Sequence, residues 1–179
     1  MKFHVGNARG ALALSIFLGC AGLAAPAGAE VASATPGGFE VRESAEIALA
    51  PDAAYKRFLR VGDWWSSEHS FSGDAHNMHI DARVGGCWCE TLPTGGGVRH
   101  MQLVYLAPGR TLRFVGGLGP LQGMAVSGVM TVTFASAPGG SKVSLSYSVG
   151  GYVADGLLAL APAVDGVLGA QLKSFAAVS

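Results

Sequence analysis

Charged residues are scarce in this sequence. Asp, Glu, Lys and Arg make up 13% of its 179 residues, against roughly 25% in ordinary soluble domains. The few lysines and arginines are scattered, so no basic patch is available for the phosphates of a nucleic acid, and that class of partner is not expected. The apolar run from Ala11 to Leu18 is too short to span a bilayer, and no transmembrane span is expected after it.

The first 29 residues have the pattern of a secretory signal peptide. Lys2 and Arg9 provide a positive start, the apolar run follows, and Ala27-Gly28-Ala29 supplies small residues at a cleavage site. We therefore predict cleavage after Ala29 and export to the periplasm or the medium. Two alternatives stay open. One is a buried N-terminal helix, and the other is lipidation of Cys20, which follows Leu18-Gly19 as in a lipoprotein signal.

Removing 29 of the 179 residues leaves 150, the size of one ordinary domain. The mature chain then has ten basic and twelve acidic residues and is slightly acidic. Residues 30–38 are small and polar and include Pro36, which predicts a flexible segment ahead of a single domain at 39–179. If Cys20 is removed, Cys87 and Cys89 are the only thiols, in a compartment that permits disulfides.

Cys87 and Cys89 lie in a short strand pattern that follows Gly85-Gly86. Alternation along a strand puts both thiols on one face, and Trp88 with Glu90 on the other. In a regular strand, residues i and i+2 are about 6.6 Å apart, near the upper limit of about 6.8 Å for the Cα atoms of a disulfide. Free thiols are therefore the expectation, with a disulfide at a local bulge and a metal-binding pair as the alternatives.

Turn residues divide the rest of the chain into a strand, a helix, a series of antiparallel strands and a final helix. Pro51-Asp52 is a favourable helix start, and Gly62-Asp63 ends that helix. Pro162 interrupts the last helical pattern, so a kink or break near Ala161 is expected. The predicted elements are a strand at 39–49, a helix at 51–61, strands at 78–80, 87–92, 98–106, 111–115, 126–134 and 142–149, and a helix at 155–178.

Apolar residues alternate with hydroxyl-bearing ones in the last two strands, which indicates one face on the core and one in solvent. The same alternation turns apolar residues of the two preceding strands inward. The inward-facing side chains predicted in this way are Met101, Leu103, Tyr105, Leu112, Phe114, Met130, Phe134, Leu145 and Tyr147.

The order of elements and four short motifs resemble the START-like, or SRPBCC, superfamily of polyketide cyclases, plant pollen allergens and lipid-transfer domains. The motifs are Pro51-Asp52, Asp63-Trp64-Trp65, Gly85-Gly86 and Tyr105-Leu106-Ala107-Pro108-Gly109-Arg110-Thr111-Leu112. The resemblance covers Phe39 to Phe175. It implies an α+β helix-grip fold, in which a curved antiparallel sheet of about six to seven strands wraps around a long C-terminal helix. It also implies an apolar cavity that binds a small hydrophobic molecule or lipid, whereas catalysis does not follow from the fold alone.

Methionines and large aromatics gather on the predicted inward faces, and methionine adapts to irregular ligands. By analogy with relatives in the superfamily, Trp88 and Glu90 also face inward. A buried carboxylate needs a partner, and the neighbouring strand offers Arg99, His100 and Gln102. The predicted ligand-binding residues are Trp64, Phe71, Trp88, Glu90, Met101, Leu103, Phe114, Met124, Met130, Tyr147, Leu157, Val164 and Leu168.

The leading hypothesis is therefore an exported protein that binds a small hydrophobic or amphipathic molecule between the sheet and the C-terminal helix. One alternative is a polyketide cyclase-like or dehydratase-like enzyme in which Glu90 acts with His100 or His69 as acid–base groups. The other is a non-catalytic envelope or stress protein with a filled core. No metal or cofactor is expected, because the histidine spacings match no standard zinc site and no nucleophile elbow or phosphate loop is present.

Overall fold

Strands dominate the computed structural model, which describes residues 30–177. The predicted signal peptide, with Cys20, lies outside these described residues. Eight antiparallel strands form one sheet in the order β1-β2-β8-β7-β6-β5-β4-β3. The elements are β1 (Glu30–Thr35), β2 (Gly38–Ile47), α1 (Pro51–Leu59), β3 (Met78–Ile80), β4 (Cys87–Thr91), β5 (Gly97–Ala107), β6 (Thr111–Val115), β7 (Ala125–Ala137), β8 (Gly140–Tyr152) and α2 (Ala161–Ala176).

This open sheet with its C-terminal helix confirms the predicted α+β helix-grip fold, with more strands than the six to seven expected. The additional strand is β1, so the expectation of a flexible segment at 30–38 is wrong. Glu30–Thr35 pairs with β2 across a tight turn. Its Val31 and Ala34 pack against the core, and this apolar contact gives the short strand a reason to stay on the sheet.

The inward faces follow the predicted alternation with one exception. Leu103, Leu112 and Met130 are fully buried, but Tyr105 is 47% exposed, so its predicted inward orientation is wrong. The pairing of β5 with β6 shifts register between Leu103 and Tyr105, and a bulge of this kind turns the next side chain to the opposite face. The Tyr105 ring packs instead against the guanidinium of Arg113, 5.3 Å from its centroid.

The two helices begin at prolines. Pro51 opens α1 and Pro162 stands in the first turn of α2, where the missing N–H loses no intrahelical bond. The break expected near Ala161 is therefore the start of the last helix, which is shorter than the predicted 155–178. The residues just before it, Leu158–Leu160, form a single 3₁₀ turn.

The C-terminal half of α2 is held against α1 and the loop after it. Arg57 donates from Nε to the carbonyl oxygen of Phe175 at 3.0 Å, and its guanidinium lies 5.5 Å from the ring centroid of the same residue. Gln171 accepts a hydrogen bond from the backbone N–H of Ser66 at 2.8 Å. These contacts fix one end of the helix, while its first turns remain free to border a cavity.

The double glycine before β4 is required by the backbone. Gly85 has a φ of +84°, which side chains disfavour. A Cβ on Gly86 would overlap the carbonyl oxygen of Asp81. Gly85 and Gly86 exchange two hydrogen bonds of 2.8 Å with Leu103, and these bonds set the position of β4 beside β5.

Within residues 30–177, neither helix has the length and apolar character that crossing a membrane requires.

Candidate ligand-binding site

A groove of about 350 Å³ lies between the start of α2, the loop joining β6 to β7 and the segment that follows α1. Its walls are mostly apolar. Phe71 and Met124 stand at the groove with 48% and 38% of their surfaces exposed, so the groove opens to solvent. The lining residues are Trp65, Glu68, His69, Ser70, Phe71, Leu118, Gly119, Pro120, Leu121, Met124, Tyr147, Leu160, Ala163, Val164, Val167 and Leu168.

Tyr147 of β8 pins the loop between β6 and β7. Its hydroxyl donates to the carbonyl oxygen of Gly116 and accepts from the backbone N–H of Leu118, both at 3.0 Å. Gly128 on β7 leaves space for the ring, because a Cβ there would overlap it. Burial raises the pKa of Tyr147 to about 12, against the smaller opposing effect of the Leu118 hydrogen bond. The phenol therefore stays neutral and fully hydrogen-bonded at the base of the groove.

The opposite wall is the segment of residues 65–71. The indole N–H of Trp65 donates to the carbonyl oxygen of His69 at 3.0 Å, which closes this segment into a compact turn. Ser66 is bonded to Gln171 of α2, as described above. The wall is thus tied to the helix on one side, and its other attachment is the buried carboxylate of Glu90.

Glu90 anchors the end of the wall formed by residues 65–71. Its side chain is 1% exposed and accepts hydrogen bonds from the backbone N–H of Phe71, at 3.1 Å, and of Ser72. A third hydrogen bond comes from Nε2 of His100 at 3.0 Å. Of the three partners suggested by the sequence, the structure selects His100.

A bulge explains why His100 faces inward. Trp88 of β4 pairs with Met101 of β5, whereas Cys89 pairs with Arg99, so His100 is an extra residue on β5. Regular alternation would place His100 on the face opposite Met101. Because a bulge re-aims one side chain, both are buried, at 2% and 1% exposure.

The pair carries one negative charge at neutral pH. Burial raises the pKa of Glu90, but hydrogen bonds from Ser72, Phe71 and His100 together outweigh burial and hold the pKa below its ordinary value. Burial lowers the pKa of His100, against the opposing effect of Glu90. The imidazole is therefore neutral and donates from Nε2, while its Nδ1 has no hydrogen-bond partner among the described residues.

This arrangement is suited to positioning rather than to acid–base chemistry in the groove. Neither Glu90 nor His100 lines the cavity, although His69 does. The ring of Phe71, which lines the groove, has its centroid 5.8 Å from that of the His100 ring. All three donors around Glu90 belong to the protein itself, so the carboxylate acts as the anchor of the segment that carries Phe71.

The structure brings together five of the thirteen residues predicted to bind a ligand and places the other eight in the packed interior. The five that line the groove are Phe71, Met124, Tyr147, Val164 and Leu168. The eight outside its lining, all buried, are Trp64, Trp88, Glu90, Met101, Leu103, Phe114, Met130 and Leu157.

Aromatic packing explains this displacement. The Trp88 ring has centroid distances of 5.2 Å to Trp65, 5.7 Å to Phe114 and 6.3 Å to Phe58. These four rings fill the centre between sheet and helix, so the open volume lies beside the first turns of α2. The hypothesis of a filled core thus describes the centre of the molecule but not the region beside the first turns of α2, where the groove lies.

Sequence reasoning missed Trp65, Leu118, Leu121, Leu160, Ala163 and Val167 as lining residues. Two signals in the sequence point to four of them. Ala163 and Val167 flank Val164 on the same helix, and Leu118 and Leu121 lie in the glycine-rich loop 116–123. Trp65 required the structure, because either member of the Trp64-Trp65 pair fits the motif equally well.

Cys87 and Cys89 form a disulfide, so the expectation of free thiols is wrong. Their Cα atoms are 5.3 Å apart, well below the spacing of about 6.6 Å in a regular strand. The pairing of β4 with β5 is irregular at the same place, between Trp88 and Cys89, although the extra residue of that bulge, His100, lies on β5. Both cysteines are half-buried and lie opposite the buried Trp88 and Glu90.

In the described part of the chain, no three His, Cys, Asp or Glu side chains gather as a metal site would require.

Residues 38–179 match the family model described as polyketide cyclase / dehydrase and lipid transport. No curated protein has a sequence that matches this chain significantly.

Solved structures with the same fold share little sequence with it. An uncharacterized protein from Rhizobium leguminosarum is 14% identical, with a TM-score of 0.57 over 80% of this chain and 93% of that one. The Mll3558 protein from Rhizobium loti is 20% identical, with a TM-score of 0.55 over 78% and 94%. Ara h 8.0201 is 15% identical, with a TM-score of 0.55 over 78% and 95%. At these identities the likeness shows the fold alone.

Proposed function

The chain belongs to the polyketide cyclase / dehydrase and lipid transport family, and from this premise we propose that it binds a small hydrophobic or amphipathic molecule in the groove beside α2. The observation that carries the proposal is the groove itself. A volume of about 350 Å³ falls within the roughly 300–1,000 Å³ typical of small-molecule sites. Its walls come from three separate parts of the chain and are mostly apolar, as in such sites.

The anchoring contacts support a cavity that persists without a ligand. Tyr147 holds one wall, while Glu90 and Gln171 hold the other. A preformed site avoids the free-energy cost of ordering its walls when the ligand enters. The exposed Phe71 and Met124 sit where an entering molecule would first make contact, and both side chains can change rotamer at the surface.

Binding can be tested with the neutral fluorescent probe N-phenyl-1-naphthylamine and a variant that fills the groove. Ala163 is an exposed residue of α2 that lines the cavity. Ala163→Phe should weaken probe affinity by at least about ten-fold, because the groove is at the small end of ligand sites and has no room for an extra ring.

The matched control is Ala170→Phe. Ala170 is also exposed on α2 but does not line the groove, and it lies about 10 Å further along the same helical face. Probe affinity should be unchanged in this variant. Equal affinities of the wild type, A163F and A170F would contradict binding in this groove, as would the absence of any probe binding by the wild type.

We further propose that the protein is exported. Support comes from the charged start, apolar run and small-residue cleavage pattern of residues 1–29. Cleavage after Ala29 would leave every described strand intact, since β1 begins at Glu30. Mass spectrometry of the mature protein should find Glu30 as its first residue. A diacylglyceryl group on Cys20 would establish a lipoprotein instead, and an unprocessed start at Met1 would refute export by this signal.

A further inference from the structure

Two hydrogen-bond donors that line the groove, Trp65 and Tyr147, are already used by the protein. Trp65 donates its indole N–H to the carbonyl oxygen of His69. Tyr147 donates its hydroxyl to Gly116 and accepts from Leu118. Neither side chain therefore offers a free donor to a carboxylate or phosphate in the groove.

The free polar groups of the lining are mainly acceptors, and they lie together on one segment, residues 68–70. The carboxylate of Glu68 makes no hydrogen bond or ion pair with any described residue and is acceptor-only when ionised. Ser70 donates its hydroxyl to the carbonyl oxygen of Ser67 at 2.8 Å, which leaves the oxygen lone pairs available. His69 can donate or accept. No lysine or arginine is found among the groove-lining residues of the described chain.

Building on the proposed function, we infer that the ligand has an apolar body and a hydrogen-bond donor, an amine or a hydroxyl, at its polar end. The apolar body lies against Leu121, Met124 and Val164, and the donor end faces Glu68 and Ser70. A carboxylate or phosphate end would meet the negative charge of Glu68 with no cation in the lining to offset it. The groove therefore selects against fatty acid anions.

One feature acts in the opposite direction. The start of α2 borders the groove through Leu160 and Ala163, without a side-chain cap or an acidic residue in its first turn. A helix start carries roughly half an elementary positive charge, and Pro162 contributes no N–H to it. Glu68 carries a full negative charge, so the net preference is for a donor.

Three probes of equal length separate the effect of ligand charge on affinity from that of apolar contact; they are decylamine, 1-decanol and decanoate. Each is used to displace N-phenyl-1-naphthylamine at about pH 8, where histidine is ordinarily neutral. One elementary charge at about 4 Å in water changes affinity by about five-fold. Decanoate should bind about five-fold more weakly than decanol, and decylamine about five-fold more tightly.

Glu68→Gln removes the charge of the side chain and should reduce the gap between the affinities of decylamine and decanoate to within about five-fold. Glu46→Gln is the control, because Glu46 is exposed on β2 and does not line the groove. Decanoate binding as tightly as decanol would overturn the inference while leaving the proposed function in place. A gap that persists in E68Q would overturn the assignment to Glu68. If no probe binds, the proposed function fails and this inference fails with it.

Discussion

Two carboxyl groups face each other between the sheet and α2. Glu43 of β2 is 6% exposed, and its neighbour on the helix is Asp165. Each has one oxygen without a hydrogen-bond partner among residues 30–177. Burial, then the negative charge of Asp165 and then a hydrogen bond with it raise the pKa of Glu43 to about 7.

The elevated pKa makes stability depend on pH in a defined direction. The interval from the ordinary value of 4.5 to about 7, at about 1.4 kcal/mol per pH unit, corresponds to roughly 3 kcal/mol. Within this interval the folded protein holds a proton that the unfolded chain has released. The free energy of unfolding therefore falls as pH rises from about 5 to about 7, and this contribution is constant above that range.

Glu43→Gln removes the titrating group and keeps the shape of the side chain. Urea unfolding at about pH 5 and about pH 8 should show the wild type losing up to about 3 kcal/mol more than E43Q across the interval. E43Q should also be the more stable of the two at about pH 8. Protonation of His100 opposes the trend, because its lowered pKa favours the unfolded state at acidic pH, but it contributes equally to both proteins and cancels in the difference.

The exposed Glu46 of the same strand supplies the control. E46Q should follow the wild-type pH dependence. If E43Q and the wild type lose the same stability between the two pH values, the pKa of Glu43 is not raised as its burial requires, and the reasoning is refuted.

Three further predictions concern the site. Glu90→Gln places an amide N–H against the donors of Phe71 and Ser72, and should lower the free energy of unfolding by about 2–4 kcal/mol in urea titrations; an unchanged midpoint would contradict the anchoring role. Tyr147→Phe removes both loop hydrogen bonds, and should destabilise the protein by about 1–2 kcal/mol and speed amide exchange in the loop between β6 and β7. Uniform exchange in both proteins would show that the loop is held otherwise. Peptide mapping after alkylation without reductant should find Cys87 and Cys89 unmodified, and alkylation of both would contradict the disulfide.

Local patterns predicted the elements well because they depend on neighbours in the sequence. Alternation in β7 and β8 reflects a sheet with one face in solvent and one on the core, and the inward-facing residues followed from it with the exception of Tyr105. Pro51 marked the start of α1, since proline fits the first turn at little cost, whereas Pro162 was expected to break a longer helix and instead stands in the first turn of α2. The resemblance built on this order of elements led to the helix-grip fold.

Departures from the predicted pattern occur where the strand pairing shifts register and the two-residue alternation of side chains is interrupted. The bulges on β5 turn Tyr105 outward and His100 inward, and neither bulge has a signature in residue type. The Cα atoms of Cys87 and Cys89 are likewise closer than in a regular strand, and this short distance permits the disulfide. A strict period of two could not anticipate any of these positions.

The sequence by itself determined seven of the eight described strands, the start of α1, the family and the need for a partner to Glu90, because periodicity, proline and a buried charge act through local chemistry. The tertiary structure alone decided where the open groove lies. Four aromatic rings from separate elements fill the centre, so the remaining volume opens beside the first turns of α2. Side chains from distant segments share one interior volume, and their arrangement depends on three-dimensional packing. Periodicity along the chain does not predict that arrangement.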